Sequence, residues 1–178
     1  MATAPPPEVP YQRLVSRFGI MFFDEPVAAF SNLARWLAPK SRFAFAAWGH
    51  AAENPWFMTV KEVVGEVVEL PPLDPEGPGP FRYAEADRLL SVLRQAGLVE
   101  LEVHDFRTAL PMGGGLPAAE AARFALAAFS SFGDLLTEAG DGALHRARDL
   151  LTARFTRHEK DGLVYLDAAV HLFTGAHR

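Results

Sequence analysis

The sequence contains no cysteine. That excludes a disulfide framework, a thiolate nucleophile and a cysteine-ligated zinc. It has no apolar run of membrane-spanning length, and its first residues lack the charged-then-apolar pattern of a signal peptide. On these grounds the chain reads as soluble and cytoplasmic, without a membrane partner. Cations are in the minority: 17 Lys and Arg stand against 22 Asp and Glu, a formal net charge of -5. Nucleic acid is therefore not an expected partner. The densest basic group (Arg146, Arg148, Arg154, Arg157) falls within and just after one helical stretch, where cations complement the helix dipole. The six histidines show no metal-ligand spacing and no serine sits in a nucleophile elbow, so neither a metal nor a catalytic residue is assigned. Also missing is the Gly-rich turn after a first strand, with an acid about 20 residues later, that seats a nucleotide cofactor.

What is present is ordinary for a globular domain: 178 residues, 49% hydrophobic and 22% charged, enough for a core that needs no staples. Residues 1–10 hold four prolines and read as a disordered lead, and residues 11–178 as the folded part. Leu14 and Val15 open a strand over 14–18. Asp24 then caps a helix over 25–38, with Pro26 in its first turn and Pro39 as its stop. Arg42 to Trp48 is apolar on both faces and reads as a buried parallel strand. Asn54-Pro55-Trp56 opens a helix that ends near Leu70, and the Pro/Gly-rich stretch 71–80 is a loop or flap. A helix over 84–96 follows, and then a half-exposed strand in which Val99, Leu101 and Val103 alternate with Glu100, Glu102 and His104. Gly113 to Gly115 form a hinge-like connection to a helix over 117–132 and a second from Asp141 to about 157. Asp161-Gly162 turns the chain into a final strand, 163–174.

This order predicts an α/β sheet of about four strands, mostly parallel with an antiparallel last strand. Right-handed crossovers put the helices at 25–38 and 84–96 on one face of it. Strands that are apolar on both sides then need cover on the other face, and the first strand has an open edge. The helices at 117–157, a second copy of the chain or another polypeptide could cover that face; a homodimer, or a companion chain covering face and edge, is expected.

The stretches Leu14-Val-Ser-Arg-Phe-Gly-Ile-Met-Phe-Phe-Asp24, Leu33-Ala-Arg-Trp-Leu-Ala-Pro39, Arg42-Phe-Ala-Phe-Ala-Ala-Trp48 and Glu53-Asn-Pro-Trp56 resemble class I S-adenosylmethionine-dependent methyltransferases. The resemblance is to the small-molecule branch related to the ubiquinone and menaquinone enzymes. It covers nearly the whole chain but only the C-terminal half of a complete family member: a truncated Rossmann-like sheet with a helical insertion. Residues 50–80 and 112–158 would be substrate-side or lid insertions. The resemblance implies S-adenosylmethionine as cofactor. It places Ser16, Arg17 and Phe18 at its methionine part, and Met21, Phe22, Trp48, His50, Asn54 and Trp56 towards the acceptor. The Pro-Gly-Gly turn usual in the family is Pro39-Lys40-Ser41 here.

Two readings follow. In one the chain is a small-molecule methyltransferase, inactive alone or completed by a partner that supplies the cofactor seat. In the other it is a non-catalytic dimeric scaffold or ligand-binding remnant of the fold, with an apolar small molecule as ligand. The Phe stripe (Phe124, Phe129, Phe132) is core or the lining of such a pocket. Asp167 and His171 lie roughly 13 Å apart along one strand, at about 3.3 Å per residue, and cannot form a dyad. His171 reads as a satisfied, partly buried histidine.

Overall fold

In a computed structural model of the chain, residues 3–72 and 77–178 are described. Residues 73–76 of the Pro/Gly-rich stretch, and the first two of the Pro-rich lead, lie outside them. The element order is β1 (Tyr11–Arg17), α1 (Pro26–Ala34), β2 (Leu37–Trp48), α2 (Pro55–Gly65), α3 (Ala86–Gln95), β3 (Val99–Pro111), α4 (Ala118–Ala128), α5 (Ser130–Glu138), α6 (Asp141–Thr156), β4 (Glu159–Lys160) and β5 (Leu163–Ala176). The strands form a mixed sheet in the order β1-β2-β5-β3, with the short β4 pairing on β5. β1 and β2 are parallel, and β5 runs antiparallel to β2.

The described residues divide into two compact units, one of 3–50, 77–106 and 169–178 and the other of 51–72 and 107–168. In the first, α1 and α3 pack against each other and share one core with β2 and β5. Phe30, Leu33, Phe43, Phe45, Leu89, Leu93 and Phe173 are buried there, each contributing roughly 1.5–3 kcal/mol. Alternation turns the other residues of these strands away from the helices. Arg13, Val15 and Arg17 on β1, Arg42 and Ala44 on β2, and Glu100, Glu102 and His104 on β3 are exposed. Ala46 on β2 and Thr174 on β5 are half-buried beside them, and Leu172 on β5 is exposed. Val15 is 74% exposed, so nothing among the described residues covers the outer face of β1 there.

The second unit packs α4, α5 and α2 on α6. Its core includes Val60, Val64, Ala121, Ala125, Leu136, Ala147, Leu151 and Phe155. Arg154 of α6 bridges to Glu62 of α2, at 3.2 Å, and to Glu66 just past its end.

Several boundaries differ from the sequence reading. α1 ends at Ala34 rather than at Pro39, and β2 already starts at Leu37. Proline disfavours the helical region for the residue before it, so the chain is extended at Ala38 and the helix must stop earlier. The cap position of α1 is Glu25, not Asp24, and no side-chain bond is made there. β3 runs on to Pro111, past His104, Asp105 and Phe106, whose exposure one after another hides the alternation. The predicted helix over 117–132 is two helices broken at Phe129. A fifth strand, β4, forms a hairpin with β5 through Asp161 and Gly162, both at positive φ. The triple glycine is a hydrogen-bonded turn rather than a loose hinge: Gly115 and Leu116 both donate to the Met112 carbonyl, at 3.0 and 3.1 Å. A Cβ on Gly113, at φ 59°, would lie 2.4 Å from Leu116.

Candidate functional site

Open α/β sheets take ligands beyond the carboxyl ends of their parallel strands. In the first unit those ends are Arg17 of β1 and Trp48 of β2. Phe18 leaves β1 at φ 59°, a conformation costly for a bulky residue. It is held there by its N–H, which donates to the Ala46 carbonyl at 3.0 Å, and by its ring. That ring stacks on Trp48, with centroids 3.9 Å apart and planes 4° from parallel. Ser16 packs so closely under Gly19 that a Cβ there would lie 3.1 Å from its Oγ. The exposed Arg17 side chain makes no ion pair or hydrogen bond among the described residues.

The residues expected towards an acceptor divide between the units. In the first, Met21 is fully buried in the core, whereas Phe22 on the same 3-10 turn is 54% exposed. Trp48 is half-buried, and His50 Nε2 lies 3.6 Å from Glu85 Oε1. In the second unit Asn54 is buried, and its Oδ1 accepts from Trp56 Nε1 at 2.9 Å. The Trp56 ring stacks on Phe129 at 5.7 Å, beside Phe57 and Phe132. Phe129 and Phe132 thus serve an aromatic core, while Phe124 is 47% exposed.

One polar constellation has no counterpart in the sequence reading. His171 Nδ1 lies 2.7 Å from Asp105 Oδ1, and its Nε2 lies 2.9 Å from the Ala84 carbonyl. His171 is the satisfied, partly buried histidine expected, but its partner is 66 residues away on the neighbouring strand. Adjacent Tyr83 is buried, its hydroxyl without a hydrogen-bond partner among the described residues. Burial raises its pKa above the ordinary 10.0, with the Arg82 charge opposing the rise.

Two clefts open in the second unit. One, of about 500 Å³, lies among α4, α5 and α6, with Leu126 and Leu144 flanked by Arg123 and Arg148. The other, of about 560 Å³, is lined by Glu53, Pro55, Arg107, Thr108, Asp167 and neighbouring alanines. Among the described residues no group of three His, Cys, Asp or Glu could hold a metal ion, and no helix is long and apolar enough to cross a membrane.

No protein-family model matches the sequence, and no curated protein is significantly similar to it. Solved structures do share the fold. A protein of Bacillus halodurans C-125 assigned to the methyltransferases aligns at 14% identity and a TM-score of 0.50, over 98% of this chain and 68% of its own. The YcgJ protein of Bacillus subtilis aligns at 15% identity and the same TM-score, 0.50, over 99% of this chain and 68% of its own. At such identities the likeness is one of fold, and that fold is the Rossmann-like one of class I methyltransferases.

Proposed function

We propose that this chain is the substrate-side, C-terminal part of an S-adenosylmethionine-dependent small-molecule methyltransferase, of the branch similar to the ubiquinone and menaquinone enzymes. The reading is carried by one observation: the parallel strands β1 and β2 end side by side in Arg17, Phe18 and Trp48, within a strand order of the methyltransferase kind. Arg17 offers a guanidinium without a partner among the described residues, suited to a carboxylate such as that of a methionine moiety. The Phe18–Trp48 stack is a flat apolar wall beside it. The 51–72 and 107–168 unit is the acceptor-side insertion in this reading.

The fit is partial. The cofactor, when bound, supplies an electrophilic methyl group. Methyl transfer then asks the protein chiefly to align acceptor and methyl, so the lack of a catalytic acid or base is no obstacle. The adenosine end, however, wants a Gly-rich backbone cradle and an acid for the ribose, and this sequence carries neither. The chain by itself therefore holds the cofactor weakly, and a companion completes the seat.

Calorimetric titration of the purified chain with S-adenosylmethionine tests this, with amide NMR shifts as a second readout. The expected result is no saturation at micromolar concentrations, with millimolar cofactor shifting Arg17, Phe18 and Trp48. Micromolar binding overturns the incomplete seat. Shifts that spare those three residues overturn the methyltransferase reading itself.

A second reading, a non-catalytic dimeric scaffold or ligand-binding protein, is favoured by the exposed sheet face around Val15 and Leu172. Light scattering separates the two when combined with the titration: a dimer with no cofactor response at any concentration supports the second.

A further inference from the structure

We propose that the 560 Å³ cleft of the second unit is a binding site for a small organic amine in its protonated form. The inference goes beyond the methyltransferase reading and does not depend on it.

The volume falls in the range of ligand clefts, about 300–1,000 Å³. The walls come from three places: Ala52, Glu53 and Pro55 before and at the start of α2, Arg107 to Ala109 of β3, and Asp167 with Ala168 of β5. The charges in it are not equivalent. Arg107 Nη1 and Glu53 Oε1 form an ion pair at 2.6 Å, so these two neutralise each other. Asp167 has no ion pair and no side-chain hydrogen bond among the described residues. The cleft therefore carries one uncompensated negative charge.

Asp167 is also fixed in place. It stands exposed between Leu166 and Ala168, which are 2% and 3% exposed, so the strand that carries it is anchored on its other face. A carboxylate on a rigid strand is a better ligand group than one on a loop. Around it the lining includes the short, apolar Ala52, Pro55 and Ala109, a wall for a hydrocarbon body rather than for a second charge. Asp167 takes the ammonium group by a charge-assisted hydrogen bond. Thr108 and the Arg107–Glu53 pair border the polar end.

The probe is benzylamine, with benzyl alcohol as the same body lacking the charge, and the readouts are calorimetry and amide NMR on the full chain. The expected result is saturable binding of benzylamine that shifts Ala52, Thr108, Asp167 and Ala168. The alcohol binds at least about tenfold more weakly, by the strength of a charge-assisted hydrogen bond. Asp167→Asn, a substitution at an exposed side chain, weakens benzylamine about tenfold and leaves the alcohol unchanged. Three results overturn the proposal: no saturation by benzylamine, equal binding of amine and alcohol, or shifts confined to the Arg123–Arg148 cleft. The wild-type shifts and the alcohol control stand without the variant.

Discussion

Gly175 is where β5 lets Phe43 into the core. It sits opposite Phe43 in the β2–β5 register, and a Cβ there would lie 2.6 Å from the Phe43 ring and 2.9 Å from Leu101. The ring cannot retreat easily, because it is buried and stacked on Phe45 with centroids 4.7 Å apart. Gly175→Ala should therefore cost about 1–3 kcal/mol, the usual penalty of overpacking, seen as a lower urea midpoint at unchanged slope. Tyr83 behaves in the opposite way. Its hydroxyl is buried and unpartnered, so Tyr83→Phe removes a polar group that gains nothing from the fold and should be neutral or stabilising by up to about 1 kcal/mol. The same burial sets a pH dependence. Below the ordinary phenol value of 10.0 both folded and unfolded chains hold the proton, and the residue is silent. Above it the unfolded chain ionises while burial keeps the folded phenol protonated, so stability falls as pH rises. Urea midpoints measured from about pH 9 to about pH 11 should drop more steeply for the wild type than for Tyr83→Phe. Parallel pH curves for the two would mean that this hydroxyl is solvated.

At the scale of elements, the Arg154 fork shows how small a surface contribution can be. It joins α6 to Glu62 of α2 and to Glu66 at its C-terminal cap, but the arginine side chain is 32% exposed and its partners more so. Arg154→Ala should cost less than about 1 kcal/mol, and the loss should shrink further in molar salt. The helix pair itself holds because Val60, Val64, Leu151 and Phe155 are buried, a pattern plain in the sequence at helical spacing. That is why α2, α3 and α6 were legible, as were the parallel β1–β2 pair and the antiparallel β5. What was not legible had a tertiary cause. The break at Phe129 follows from its ring joining Trp56 and Phe57, from another part of the chain. The extension of β3 past Val103 crosses residues exposed on both faces, where periodicity has nothing to report. Asp105 and His171 meet only because β3 and β5 are neighbours, and local spacing carries no trace of that. At the candidate site, Arg17 and Phe18 were named from the family resemblance and Trp48 as a pocket residue; their positions are the carboxyl ends of β1 and β2. The cleft around Asp167 had no signature in the sequence, since its walls come from three distant segments.

For the molecule as a whole, the sheet face opposite α1 and α3 is the surface on which the proposal of a second copy rests. Across that face the charge changes sign. β1 brings Arg13 and Arg17, β2 brings Arg42, and β3 brings Glu100 and Glu102, with Val15, Ala44, Ala46 and Leu172 between them. Arg42 already reaches Glu100 at 2.7 Å, which fixes both on the same side. A two-fold axis along the strands, lying between two such faces, sets β1 of one copy over β3 of the other. In that pairing, which takes Arg17 away from the cofactor role of the first reading, Arg13 and Arg17 would meet Glu100 and Glu102 twice over and shut the apolar middle from water. A face that fits its own copy in this way favours the dimeric scaffold reading, because a second copy lacks the Gly-rich turn as well and supplies no cofactor seat. Sedimentation should give twice the chain mass, with dissociation promoted by salt. Glu102→Arg should shift the equilibrium towards monomer by at least about tenfold, and adding Arg17→Glu to it should restore the dimer, because the swapped charges meet again across the axis. A monomer at every concentration removes the second copy as occupant. A dimer indifferent to both substitutions places the contact elsewhere, with the open edge of β1 the next surface to probe.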